Sequence, residues 1–154
     1  MKKYLFLFIM IVNIMIFTSC SANASAEDDF MWTEDYALAL QNAKETGRSI
    51  LMNFTGSDWC VWCIRLKNEV FSQQEFMDYA EANLILFKAD FPNKLPQSDE
   101  LKMQNQTLAQ KHHIEGFPTI VLIDSSENVL ARTGYQQGGA APYVKHIETL
   151  LGKE

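Results

Sequence analysis

Ser49-Ile50-Leu51-Met52-Asn53-Phe54, then Thr55-Gly56-Ser57-Asp58-Trp59, then Cys60-Val61-Trp62-Cys63 is the part of this 154-residue chain that decides its fold. The first six residues form a short, mostly apolar run, the pattern of a buried strand. The next five carry Gly, Ser and Asp and read as a turn. From Cys60 to about Val70 the pattern is helical, so a strand and a turn deliver both cysteines to the start of a helix. A cysteine placed there faces unpaired backbone N–H groups and the positive end of the helix dipole. Both favour thiolate over thiol and so populate a nucleophile near neutral pH. Two intervening residues let Cys63 approach Cys60 within one helical turn, close enough for a disulfide to close.

The spacing leaves four chemistries open. The pair can be redox-active, with Cys60 attacking and Cys63 resolving the mixed disulfide. It can be a structural disulfide, although those commonly staple distant segments and close longer loops. It can be half of a zinc site, for which His112, His113 and His146 are the histidines available. It can be a pair of inert buried thiols.

Working outward, Thr33 is placed to cap a helix running to about Thr46, with Gly47 as its stop. Ser72 and Glu75 have the spacing of a capping box for a helix to about Ala82. Leu84 to Ala89 reads as a second buried strand, and Phe91 to Gln97, with two Pro, as a loop able to shape partner choice. Ser98, followed by Asp99 and Glu100, starts a helix to about His112, which the His112-His113 pair ends. Pro118 to Asp124 and Val129 to Thr133 read as two more strands around a short turn. Gly134 to Ala141 is a Gly-rich loop, and Pro142 suits the first position of a last helix to about Leu151. Phe71, Phe76, Tyr79, Leu84 and Leu86 are core candidates. Early strands separated by helices predict parallel pairing, and the late pair predicts an antiparallel hairpin. The predicted fold is α/β, with a mixed central sheet and helices on both faces.

The chain holds one domain's worth of residues, 47% of them hydrophobic and 21% charged, a balance that supports a packed core. Lys2 and Lys3, an apolar run from Tyr4 to Phe17 and small residues to Ala26 have the order of a secretory signal. The apolar run is shorter than the ~20 residues a spanning helix needs. The expected division is therefore a signal segment over 1–26 and a folded domain over 27–154. Thr18-Ser19-Cys20-Ser21 resembles a bacterial lipobox, in which Cys20 would carry the lipid, with Phe17 where Leu is usual. Cleavage after Ala24 or Ala26 competes with it. The odd count of three Cys favours the lipobox, because it accounts for the unpaired one. Lys2 and Lys3 are the only charges in the first 26 residues. Of 13 basic residues 11 therefore remain against 19 acidic ones, a net charge of −8 beyond the signal. That excess argues against nucleic acid as a partner.

Taken together, Ile50 to Phe54, Trp59-Cys60-Val61-Trp62-Cys63, Lys88-Ala89-Asp90, Gly116-Phe117-Pro118-Thr119 and Gly134 resemble the thioredoxin superfamily over about residues 32–151. The stretch from Phe54 to Cys60 is similar to exported bacterial thioredoxin-like proteins akin to the C-terminal domain of the disulfide-interchange protein DsbD. The resemblance implies a thioredoxin-like three-layer sandwich and a redox-active pair at Cys60 and Cys63. It implies a cis Pro118 beside the cysteines, with the Phe117 backbone pairing to an extended substrate. Trp59 matches the family Trp that covers the site edge, and Trp62 offers a contact surface.

Two departures follow from the same match. Asn53 stands where thioredoxins carry a buried Asp proposed to deprotonate the resolving cysteine, and Asn takes no proton at ordinary pH. Lys88 matches a family lysine nearby and is placed to hold a thiolate. Val61-Trp62 replaces the Gly-Pro of thioredoxin and lacks the His of strong oxidants, which tilts the expected activity toward reduction or exchange. The expected partners are disulfide-containing exported proteins and a membrane electron donor of the DsbD type. The expected location is the periplasm, free or held to the membrane by a lipid on Cys20, with no metal or organic cofactor implied. Two alternatives stay open: a thioredoxin-fold binding module with a structural disulfide, and a protein-disulfide oxidase or isomerase.

Overall fold

The computed structural model describes residues 31–153. The signal segment, the Cys20 lipobox and both cleavage sites lie outside the described residues. The elements run β1 (Trp32–Thr33), α1 (Tyr36–Thr46), β2 (Ser49–Thr55), α2 (Val61–Leu66), a π-helical turn (Lys67–Phe71), α3 (Gln74–Asn83), β3 (Leu84–Asp90), α4 (Asp99–Lys111), β4 (Thr119–Ile123), β5 (Val129–Thr133) and α5 (Ala140–Leu150).

The five strands form one sheet in the order β1-β3-β2-β4-β5. β3 pairs parallel with β1 and β2, whereas β4 is antiparallel to β2 and β5. This is the predicted mixed sheet, with a layer of helices on each face. Alternation along the strands makes the two layers. Leu51, Leu86, Ile120 and Leu122 pack with Phe71, Phe76, Tyr143 and Ile147 from the side of α2, α3 and α5. Ile50, Met52, Phe54, Phe87 and Val121 pack with Ala39, Ala43 and Leu108 of α1 and α4. Successive side chains point to opposite faces, so one strand serves both cores.

Several local expectations are corrected. β1 is only two residues long, too short to show any alternation, and the sequence reading left it out. Asp35, not Thr33, caps α1. Its carboxylate accepts the Leu38 N–H at 3.0 Å, while the Thr33 hydroxyl oxygen accepts the Asp35 N–H at 3.1 Å. The predicted helix from Cys60 to Val70 changes to π winding at Lys67, where the Ser72 N–H reaches back five residues to Lys67 O at 2.9 Å. That wider turn takes up one extra residue and carries the next helix start past Ser72. Gln73 becomes the N-cap of α3, without a side-chain cap bond, so Ser72 does not hold the N-cap position expected of it. Pro142 sits third in α5 rather than first, and Gly139 is the N-cap. The first turn tolerates it because those N–H groups have no intrahelical partner.

Candidate active site

Toward the C-terminal ends of β2 and β3 the face under α2 changes character. Leu51 pairs with Leu86, then Asn53 with Lys88, then Thr55 with Asp90. The chain leaves β2 at Thr55 and turns at Gly56, whose carbonyl accepts the Cys60 N–H at 2.9 Å. A Cβ on Gly56 would lie 2.5 Å from the Trp59 indole, so only glycine leaves room for that ring. Ser57 anchors the turn on β3: its N–H and hydroxyl donate to the Asp90 carboxylate at 2.9 and 2.5 Å.

Cys60 is the N-cap of α2, and its Sγ accepts the Cys63 N–H at 3.2 Å. A sulfur in that position takes one of the helix's orphan donors, a contact that strengthens when the sulfur is negative. Cys60 and Cys63 are joined in a disulfide with Cα atoms 5.2 Å apart. Both sulfurs are largely covered, beneath a rim of Trp59, Val61, Trp62 and Ile64 that is open to solvent.

The Phe117–Pro118 bond is cis. Thr119 pairs with Phe54 across the sheet, which sets Pro118 beside the strand end that leads into the turn. A Cβ on Gly134 would lie 3.2 Å from the Pro118 carbonyl, so Gly134 lets β5 pass close to this loop. Behind Cys63 is a cavity of about 140 Å³ lined by Asn53, Thr55, Ser57, Lys67, Lys88 and their apolar neighbours Trp32, Ile64 and Phe71. Asn53 Oδ1 is buried there with no protein hydrogen-bond partner. Lys88 Nζ lies 3.3 Å from the Glu34 carboxylate.

The thioredoxin-like domain family matches residues 36–145. This chain belongs to the thioredoxin-like family. It is 38% identical over 126 residues to the disulfide bond reductase DsbH of Chlamydia pneumoniae, covering 82% of this chain and 75% of that protein. A solved DsbH oxidoreductase superposes with a TM-score of 0.77 at 37% identity, over 80% of this chain and 85% of that one. The oxidised C-terminal domain of DsbD from Neisseria meningitidis shares the fold, with a TM-score of 0.53 at 19% identity over 73% of this chain and 90% of that one. With Cys60 and Cys63 in the family's C-x-x-C position, the chain is a thioredoxin-fold thiol–disulfide oxidoreductase.

In this thioredoxin-like chain the Phe91–Gln97 loop is clipped to the active-site turn. The Asp58 carboxylate accepts the N–H groups of Asn93, Lys94 and Leu95 at 2.9, 2.6 and 3.0 Å. Trp59 Nε1 donates to the Phe91 carbonyl at 2.8 Å. Phe117 stacks on Phe91 at 5.1 Å and meets Trp59 edge-on at 6.0 Å. Loop, turn and cis-proline segment therefore hold one another. Sequence reasoning missed Asp58, whose partners lie 35 residues or more away; an Asp in a turn is a signal for backbone N–H capture, but not for which N–H groups.

The Asn93 N–H above all, with those of Lys94 and Leu95, holds the Asp58 carboxyl below its ordinary pKa. A lowered folded-state pKa means the clip's contribution is present above the ordinary carboxylate value and is lost as pH falls through the lower one. An NMR titration is expected to move the Lys94 and Leu95 amide resonances with a midpoint below about 3.9, the ordinary Asp value. Asp58→Asn should abolish that transition; a midpoint above the ordinary value would contradict the clip.

On the other flank Trp62 lies 5.3 Å from Tyr135, and the Arg65 guanidinium sits 5.6 Å from both rings. Glu69 fixes this stack, bonding Arg65 Nε and the Tyr135 hydroxyl at 2.6 Å each. Trp62 is thus held in place although half-exposed. Tyr135 was not legible as a site residue, because only the fold brings it to α2. The histidines lie elsewhere: His112 is buried at the end of α4 against Phe54, and His146 bonds the Thr133 hydroxyl. Among the described residues no group of three or more His, Cys, Asp or Glu is arranged to hold a metal.

Proposed function

We propose that this protein reduces disulfides in exported proteins, with Cys60 as nucleophile and Cys63 as resolving thiol. The observation that carries the reading is Cys60 Sγ accepting the Cys63 N–H in the first turn of α2, at the head of a C-x-x-C pair able to close a disulfide. The Cys60 thiolate attacks one sulfur of a substrate disulfide. A Cys60–substrate disulfide forms, and the other substrate sulfur leaves as a thiolate that takes up a proton. The Cys63 thiolate then attacks Cys60 Sγ, the substrate leaves reduced, and the Cys60–Cys63 disulfide remains.

In this reading the Phe117 backbone, beside cis-Pro118, pairs with an extended substrate segment. Trp59 and Trp62 flank Cys60 as apolar contacts, and Lys88 favours the Cys63 thiolate across the cavity. Asn53 contributes an amide oxygen to that cavity and no proton acceptor. The name of the Chlamydia relative, a disulfide bond reductase, supports reduction over oxidation. So does the pair Val61-Trp62, which brings no His between the cysteines to stabilise the reduced form.

Residues 1–26 would direct the chain out of the cytoplasm, and the lipobox would attach it to the membrane through Cys20. An exported compartment is oxidising, so a membrane donor of the DsbD type would return the pair to the dithiol. The test is catalysed reduction of a protein disulfide by a slow dithiol reductant. The protein should accelerate it, and a rate equal to that of the reductant alone would overturn the proposal.

A further inference from the structure

We propose that Ser57 and Asp90 together take the proton that Cys63 must lose when it resolves the mixed disulfide; this rests on the roles proposed above for Cys60 and Cys63. The need is clear from Asn53, which occupies the cavity behind Cys63 but has no acidic group to exchange a proton. The charged groups facing Cys63 are Lys67 from the π-helical turn and Lys88 from β3, with the Glu34 carboxylate on Lys88. Both lysines are donors as ammonium groups and accept nothing. A buried carboxylate stands two residue pairs further along the sheet from Asn53 and Lys88, on Asp90, which pairs with Thr55 of the cavity wall.

Ser57 joins that carboxylate to the cavity. It lines the same 140 Å³ space as Cys63, and its hydroxyl donates to Asp90 Oδ2 at 2.5 Å. A hydroxyl accepts as well as donates, so it can pass a proton on without changing charge. The Cys63 S–H gives its proton to Ser57 Oγ, directly or through one water, while the Ser57 hydroxyl proton moves to Asp90 Oδ2. The cavity has room for several waters, and Asn53 Oδ1 offers them an acceptor. The products are a Cys63 thiolate, an unchanged serine and a neutral Asp90 carboxylic acid. The thiolate forms the bond to Cys60 Sγ and the Cys60–substrate S–S bond breaks. The substrate thiolate leaves, and Asp90 returns its proton to solvent.

Ser57 and Asp90 also hold the turn, and Ser57→Ala separates the two roles. It keeps the Ser57 N–H bond to Asp90 Oδ1 at 2.9 Å and deletes the hydroxyl link. Asp90→Asn keeps an acceptor oxygen and removes the basic carboxylate. The probe is an excess of Ellman's aromatic disulfide, mixed in stopped flow with the reduced protein. Attack by Cys60 releases one coloured thiolate and resolution by Cys63 releases the second. Both variants should slow the second release at least about tenfold near neutral pH, the low side of what a positioned base contributes. The first release should stay within about twofold, which also reports an intact fold. The gap should close as pH rises past about 8.5, where an ordinary thiol ionises unaided.

An unchanged second release in Ser57→Ala, or equal slowing of both releases, would overturn the proton path and leave the dithiol reading standing. Absence of a second release from the unsubstituted protein would instead overturn the roles of Cys60 and Cys63, and the proton path with them.

Discussion

Cys60→Ser is expected to lower catalysed disulfide reduction at least about a thousandfold, to the rate of the reductant alone. A serine hydroxyl is not ionised near neutral pH and forms no mixed disulfide, so both half-reactions lose their bond-forming atom. The substitution is informative because it should leave the fold in place. Cys60 caps α2 through its side chain, with Sγ accepting the Cys63 N–H. Serine is among the preferred residues at that position, and its oxygen accepts the same donor. The lost crosslink spans a separation of three residues, so it constrains the unfolded chain little. The measurement is protein-disulfide turnover alongside the thermal unfolding midpoint. Retained turnover in a folded Cys60→Ser protein would remove Cys60 from the chemistry.

The largest expected effect on stability is at Phe76. Its side chain is fully buried on α3, 4.8 Å from the Phe71 ring. Phe71 in turn contacts Trp32 at 5.1 Å and Tyr143 at 6.0 Å. Four elements therefore meet around one aromatic group: β1, the π-helical turn, α3 and α5. Phe76→Ala removes the ring's transfer free energy and leaves a cavity that close-packed neighbours fill only in part, costing about 3–5 kcal/mol. A domain is stable by about 5–15 kcal/mol in all, so the variant should be marginal. Urea unfolding should show a lower midpoint at an unchanged slope. A loss below about 1 kcal/mol would mean that the site relaxes around the missing ring, against the packing described.

The parts of this protein that were legible in its sequence share a cause: their signal is local. Ile50 to Phe54 is an unbroken buried run because β2 is central and covered on both faces. Cys60 and Cys63 were readable because the turn residues before them and the helical pattern after them fix a helix start. Lys88 and Asn53 came from a resemblance, and the sheet register then set them side by side. What escaped has no local signal. An i→i+5 turn at Lys67–Phe71 uses the same residues as an α-helix, so the sequence does not announce the shifted start of α3, and the capping box expected at Ser72–Glu75 falls one residue early. β1 is two residues held by β3, a pairing that no period of two can announce. Asp58 on the Asn93–Leu95 backbone, Ser57 on Asp90 and Glu69 on Tyr135 all join residues more than 30 apart in sequence. These contacts build the walls of the site, and the fold alone decides them.

In the proposed function Cys60 and Cys63 form a dithiol that gives electrons away. Its most direct test is the equilibrium reduction potential of the pair, measured against dithiol buffers of known poise. A value near that of thioredoxin, about −270 mV, is expected, because no His between the cysteines stabilises the reduced form. A value near about −120 mV, that of a strong oxidant, would contradict it and reverse the direction of electron flow.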